Sequence, residues 1–359
     1  MNYYIRETVF DEVRNRTAAS KAREDINEIA ESMGFSPVDV EYDYSLRKSK
    51  GFFVALWKLT RDWSNAITGM GEGDTVLIQY PLNHHPMGIP GLLKKFRARG
   101  GKVIFLIHDL DCLRMKRKTP LDKFKHAKVI YEDNSILKCG DAVIGHNNKM
   151  NKILVKMGID KDKLIPLRIF DYLVHGDFQY TERKVDDPIV VAGTLRQHKA
   201  GYAYNLPEGM AFNLYGVGYE NDEKEGVQYF GSFNPEELTQ KMEGSFGLIW
   251  DGTTSETCDG ISGNYIKLNN PHKLSLYLAS GLPVVVWDQA AVADFVSKEK
   301  VGFAVDNIAA IKDVTSQISE DSYREMVENA RKISGRLLAG AYAKSALNKA
   351  LDIISEQGK

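Results

Sequence analysis

Residues 269–287 read NNPHKLSLYLASGLPVVVW. Asn270 is a good helix N-cap and Pro271 suits the first helical position, so the stretch predicts a short helix opening near residue 270. Leu274, Tyr277 and Leu278 are spaced to face a core, and Ser280-Gly281-Leu282-Pro283 turns the chain into the buried strand Val284–Trp287. His272 and Lys273 fall in the first turn. A cation there meets the positive end of the helix dipole, at a cost of a few tenths to about 1 kcal/mol. Something negative is therefore expected in front of Lys273. A phosphate at the helix start would fill that role and accept free backbone N–H groups as well. A Lys bending out to solvent is the bland alternative.

Working outward, the helix-then-strand texture repeats along the whole chain of 359 residues, a length that suits two domains. Strand-like runs lie at 2–7, 38–44, 74–81, 102–110, 141–147 and 163–169 in the first half, and at 189–193, 211–218, 227–231, 246–252, 282–287 and 301–305 in the second. Helical stretches separate them, which predicts parallel sheets wrapped by helices, two doubly wound α/β domains. The polar segment 176–188 reads as a linker. The domains are expected at 1–178, joined by a terminal helix at about 340–359, and at 188–338. Residues 322–357 read as almost continuous helix, interrupted near Gly335 and Gly340.

Composition narrows the class. Hydrophobic residues make up 43% and charged residues 26%, and the net charge of −1 argues against a general nucleic-acid binder. Between Lys94 and Lys128, however, twelve Lys/Arg face only three Asp/Glu, a solvated face or a surface for an anionic membrane or a lipid-linked phosphate. Cys112, Cys139 and Cys258 form no CxxC pair, which suits free thiols in a reducing cytoplasm. No apolar run is long enough for a signal peptide or a membrane span, so any membrane contact is expected to be peripheral. His84-His85 are adjacent and point apart in regular structure, and no cluster has metal-ligand spacing.

In doubly wound sheets ligands bind beyond the carboxyl ends of the strands, so the residues just after each strand are the candidates. After IVVA come Gly193, Thr194, Arg196 and Lys199: a glycine permitting close backbone approach, then cations able to reach a diphosphate. After FGLIW come Asp251 and Gly252, an acceptor for sugar hydroxyls or an ordinary turn. His108 and Asp109 end a strongly apolar strand and offer a general base, or a structural His beside a capping Asp. Arg16 and Thr17 precede a helix whose start could hold a ligand, though a plain capped helix fits them as well.

The pattern N-x-P-H-K-x-x-x-Y-L-A-x-G-x-P-V-V, with GLIWDG and an IHDL strand end before it, resembles bacterial sugar transferases of the GT-B fold, in particular the glucosyltransferase 3-like proteins and β-1,6-galactofuranosyltransferases. The resemblance implies two Rossmann-like domains facing a cleft, with the C-terminal helix crossing back to the first. It implies a UDP-sugar in the second domain, held by Gly193, Thr194, Arg196, Lys199, Asp251, Gly252, Tyr265, Asn270, His272 and Lys273. It implies a glycan acceptor, free or lipid-linked, near Arg16 and Thr17 in the first. Transfer of galactofuranose or glucose with inversion, without a metal or other cofactor, is expected, and Asp109 is the expected base with His108 as the alternative. The resemblance also admits a homo-oligomer and a cytoplasmic enzyme at the inner membrane face. One departure stands out: Leu276 occupies a position where many GT-B transferases carry a ribose-binding Glu. That departure keeps open a silent nucleotide-sugar-binding partner of another transferase, and a nucleotide-sugar epimerase on the same two-lobed scaffold is the other alternative.

Overall fold

The computed structural model describes residues 1–9, 18–115, 119–221 and 224–357. They form two compact units, Met1–Leu167 with Ala343–Lys359, and Arg168–Tyr342.

The first unit is built on six parallel strands: β1 (Asn2–Val9), β2 (Ser36–Tyr42), β3 (Thr75–Tyr80), β4 (Lys102–Ile107), β5 (Ala142–Gly145) and β6 (Leu164–Pro166). Their order is β2-β1-β3-β4-β5-β6, so the winding reverses between β1 and β3. Six helices connect or flank them: α1 (Ala18–Ser32), α2 (Tyr44–Lys50), α3 (Phe52–Thr68), α4 (Ile89–Ala98), α5 (Pro120–Leu137) and α6 (Asn148–Lys156). β3 and β4 are buried almost throughout, which is why TVLIQY and KVIFLI carry continuous apolar runs rather than an alternation. α3 buries Ala55, Leu59, Trp63 and Ile67, one residue per turn along a single stripe.

The second unit repeats the plan with β7 (Ile189–Thr194), β8 (Phe212–Val217), β9 (Val227–Tyr229), β10 (Gly247–Ile249), β11 (Val284–Trp287) and β12 (Gly302–Val305). Their order is β12-β11-β10-β7-β8-β9, and the reversal lies between β7 and β10. Its helices are α7 (Gln197–Ala200), α8 (Pro235–Lys241), α9 (Gly260–Tyr265), α10 (His272–Ala279), α11 (Ala293–Glu299), α12 (Ala310–Thr315) and α13 (Glu320–Leu338). The last helix, α14 (Ala341–Glu356), belongs from Ala343 onward to the first unit, where Gln357 donates to the Asp141 carbonyl at 3.3 Å.

All twelve expected strands are present and every strand pairing is parallel. Three local expectations need correction. α10 begins at His272 with Pro271, not Asn270, at the cap, because the Asn270 side chain donates to the Arg168 carbonyl at 2.8 Å. Gly335 does not interrupt the terminal helices. It lies inside α13 with open space beside it, and the break comes at Gly340, whose φ of +68° ends the helix. α2 was not expected, because its seven residues bury none of their side chains and show no apolar stripe.

Candidate functional site

In the second unit the reversal between β7 and β10 brings the two strand ends side by side, the position where doubly wound sheets hold ligands. Gly193 and Thr194 close β7; Trp250, Asp251 and Gly252 follow β10. Lys273, in the first turn of α10, reaches between them. Its Nζ donates to Asp251 Oδ1 and to the Trp250 carbonyl, both at 2.9 Å. The negative group facing the helix start is thus supplied by the chain itself. Burial alone would depress the Lys273 pKa; the Asp251 carboxylate, then Tyr202 and Tyr277, more than reverse that and hold the ammonium charged well above the usual lysine range.

Close backbone approach shapes this site. Gly193 has φ +129°, and a Cβ there would stand 3.7 Å from Lys273 Cε. Gly216 of β8 has φ +143° and lies so near the Gly193 carbonyl that any side chain would collide with it. Gly252 bridges to Ala200: its N–H donates to the Lys199 carbonyl, and its own carbonyl accepts from Tyr202 N–H, both at 3.4 Å. The loop after it folds on Asp259, which accepts from the Thr253 N–H and hydroxyl.

Beneath the loop, the Tyr277 hydroxyl accepts from Ala192 N–H at 2.7 Å and donates to the Leu248 carbonyl at 3.3 Å. Burial pushes the neighbouring Tyr202 up to about 12, with Lys273 opposing and Asp251 adding to the rise. Arg196 and Lys199 stand exposed beside this edge.

The anticipated donor residues therefore divide. Gly193, Thr194, Asp251, Gly252 and Lys273 converge at the strand ends, with Arg196 and Lys199 next to them. Asn270 and His272 are engaged elsewhere: Asn270 on Arg168, and the His272 ring beside Tyr172 and Phe170 with centroids 5.2 and 6.0 Å away. Tyr265 is buried at the end of α9. Arg16 and Thr17 lie outside the described residues.

In the first unit the carboxyl edge also carries polar groups. His108 Nε2 is 2.6 Å from Gln79 Oε1, and the backbone N–H of His108 donates to the Tyr80 carbonyl at 2.6 Å. Asp109 forms an ion pair with Arg114 at 2.7 Å and is about one-third exposed. Buried His146 donates from Nε2 to the His108 carbonyl at 2.9 Å; burial depresses its pKa to about 4.

Sequence reasoning missed the neighbours at the reversal between β1 and β3. Glu7 accepts from Asn83 N–H at 3.1 Å and faces Arg23 at 3.5 Å, while Arg23 donates to the Pro81 carbonyl. Burial pushes the Glu7 carboxyl up to about 7 against the pull of Arg23 and the Asn83 N–H. The only sequence signal was a Glu near the end of the first strand. Among the described residues no three of His, Cys, Asp and Glu come together as a metal site, and no helix is long and apolar enough to cross a membrane.

Comparison with known proteins covers nearly the whole chain. Residues 2–169 match the family model of the glucosyltransferase 3-like N-terminal domain, and residues 189–350 that of the C-terminal domain. The β-1,6-galactofuranosyltransferase WbbI of Escherichia coli (strain K12) is 36% identical over 80% of this chain and 82% of its own length. Glucosyltransferase 3 of Streptococcus gordonii is 26% identical over 92% and 93%. Among solved structures, sucrose-phosphate synthase from Thermosynechococcus elongatus superposes with a TM-score of 0.60 at 14% identity, covering 98% of each chain. Anabaena HepE in complex with UDP superposes with a TM-score of 0.55 at 11% identity, covering 98% and 100%. The fold is that shared two-unit α/β plan.

Proposed function

The chain belongs to the glucosyltransferase 3-like family, and from that premise we propose that it transfers a hexose, galactofuranose or glucose, from a UDP-sugar to a glycan acceptor in surface-polysaccharide or glycoprotein assembly. The single observation that carries the donor half is the meeting of Lys273, Asp251 and Gly193 at the reversal point of the second sheet. Gly193 leaves room for a diphosphate beside the strand end, and Lys273, Arg196 and Lys199 offset its charge as it departs. Asp251 fixes the ammonium and offers its remaining oxygen to a sugar hydroxyl. The chemistry needs no metal in this reading, because fixed cations and backbone N–H groups stabilise the leaving diphosphate.

The acceptor is assigned to the first unit, with Asp109 as the base that takes the hydroxyl proton during inversion and His108 as the alternative. The acceptor is free or lipid-linked, the location is the cytoplasm at the inner membrane face, and a homo-oligomer is compatible with both. The three cysteines are buried and form no disulfide among the described residues, in keeping with a reducing compartment. The named relatives are transferases, which favours catalysis over an epimerase or a silent binding partner.

Calorimetry with UDP tests the donor site. Lys273→Ala and, at an exposed position that the fold does not need, Arg196→Ala should each weaken UDP roughly tenfold, about 1.4 kcal/mol. Unchanged affinity in both variants removes this site. Acceptor-dependent UDP release in the wild type then separates transfer from sugar interconversion and from binding without turnover.

A further inference from the structure

Large exposed apolar side chains are distributed unevenly. Among the described residues the second unit exposes only Val217 and Tyr229, whereas the first exposes Phe52, Phe53, Trp57, Met87, Leu121 and Phe124 and others besides. Phe53 is 81% exposed, Phe124 72% and Trp57 58%. These positions are not scattered. In a parallel sheet each connecting helix starts where the preceding strand ended, at the carboxyl edge. Phe52, Phe53 and Trp57 lie in the first turns of α3, Met87 just before α4, and Leu121 and Phe124 in the first turn or so of α5. α3 packs against α4 and α4 against α5, but their starts are staggered: the Met87 N–H donates to the Thr60 hydroxyl, well inside α3, and the Cys139 thiol just past the end of α5 donates to the Pro90 carbonyl at the start of α4.

On α3 the pattern is two-sided. Ala55, Leu59 and Trp63 face the core, while Phe53 and Trp57, on the opposite side of the helix, face solvent where polar residues belong.

Basic residues surround these aromatics. Residues 44–61 contain five Lys/Arg and no Asp/Glu. Arg47, Lys48 and Lys50 of α2 are exposed. The Arg47 guanidinium lies 5.6 Å from the Phe52 ring centre, and Arg61 lies 5.2 Å from that of Trp57. The acids next to this stretch in sequence are committed locally. Asp43 caps α2, Asp62 pairs with Lys58 and Arg61, and Glu41 lies 3.7 Å from Lys58.

We propose that this aromatic and basic face, formed by α2 and the first turns of α3, docks the first unit on an anionic lipid surface. Aromatic rings and apolar side chains enter the headgroup boundary, where Trp is at home. Each nearby Lys or Arg adds about 1 kcal/mol of attraction to an anionic leaflet. A second copy of the chain fits the face less well, because protein interfaces are depleted in Lys and this face is rich in it. The assignment rests on the transferase reading only for its purpose, which is to hold the acceptor edge of the first sheet where a lipid-linked glycan would arrive.

Co-sedimentation of the full chain with phosphatidylcholine vesicles, with and without 30% phosphatidylglycerol (roughly the anionic content that builds a strong surface potential), tests it. Binding should require the anionic lipid and weaken at least tenfold for Phe53→Ser/Trp57→Ser, and likewise for Lys48→Glu/Lys50→Glu. These residues are exposed, so thermal melting and UDP affinity should stay at wild-type values, which keeps this result separate from the fate of the donor site. Absence of wild-type binding to anionic vesicles overturns the proposal. So does undiminished vesicle binding by the variants together with loss of a wild-type dimer in sedimentation velocity, which would assign the face to a second copy.

Discussion

The Lys273 ammonium and the Asp251 carboxylate lie 2.9 Å apart, joining the start of α10 to the loop after β10 across 22 residues of chain. The cation that opposes the helix dipole is thereby neutralised from within the fold. Breaking a buried pair by removing one charge costs about 3–5 kcal/mol. This pair keeps about a fifth of its side-chain surface, so Asp251→Asn should destabilise by about 2–3 kcal/mol. Adding Lys273→Met should recover at least half of that, since no unpaired charge then remains. Urea midpoints of the two single variants and the double variant measure the coupling; simple additivity would mean that the pair does not act as a unit.

Two buried groups in the first unit should make stability depend on pH in opposite senses. Burial raises Glu7 from 4.5 to about 7, so the native state holds a proton that the unfolded chain releases, and this contribution to stability falls as pH rises from about 4.5 to 7. Burial lowers His146 from 6.5 to about 4, so stability from this group is lost as pH falls from about 6.5 to 4. The two slopes nearly cancel in the wild type between about pH 4.5 and 6.5. Glu7→Gln should expose the His146 slope, with stability rising toward neutral pH by on the order of 3 kcal/mol. A Glu7→Gln pH profile parallel to the wild type would show that Glu7 titrates normally.

Asp109 is the proposed base, and its ion pair with Arg114 keeps a carboxylate at the edge of the first sheet. Asp109→Asn should abolish transfer while leaving UDP affinity unchanged, because the proposed donor residues lie on the second unit. Near-normal turnover would rule Asp109 out and turn attention to Glu7, whose carboxyl near pKa 7 is suited to accept a proton at neutral pH.

Much of this was legible in the sequence because parallel strands buried on both faces write themselves as short apolar runs. IVVAGT, FNLYGV and VVVW are strands by composition alone. Gly193, Asp251 and Lys273 were legible as candidates because each ends a strand, follows one or opens a helix. Asn270 was misassigned as a cap, since nothing local reveals that Arg168, 102 residues earlier, would claim its side chain.

The sequence by itself determined the two-fold repetition of the doubly wound plan and the demand for a negative charge before Lys273, since both follow from local periodicity and the helix dipole. Only the tertiary structure decided what meets that demand. The order of strands sets which loops become neighbours, and the reversal between β7 and β10 puts Asp251 in front of Lys273. The same holds for Glu7 and Asn83, 76 residues apart in the chain but adjacent because β1 and β3 pair. Strand order is chosen by the packing of whole helices on whole sheets, and no local stretch carries that information.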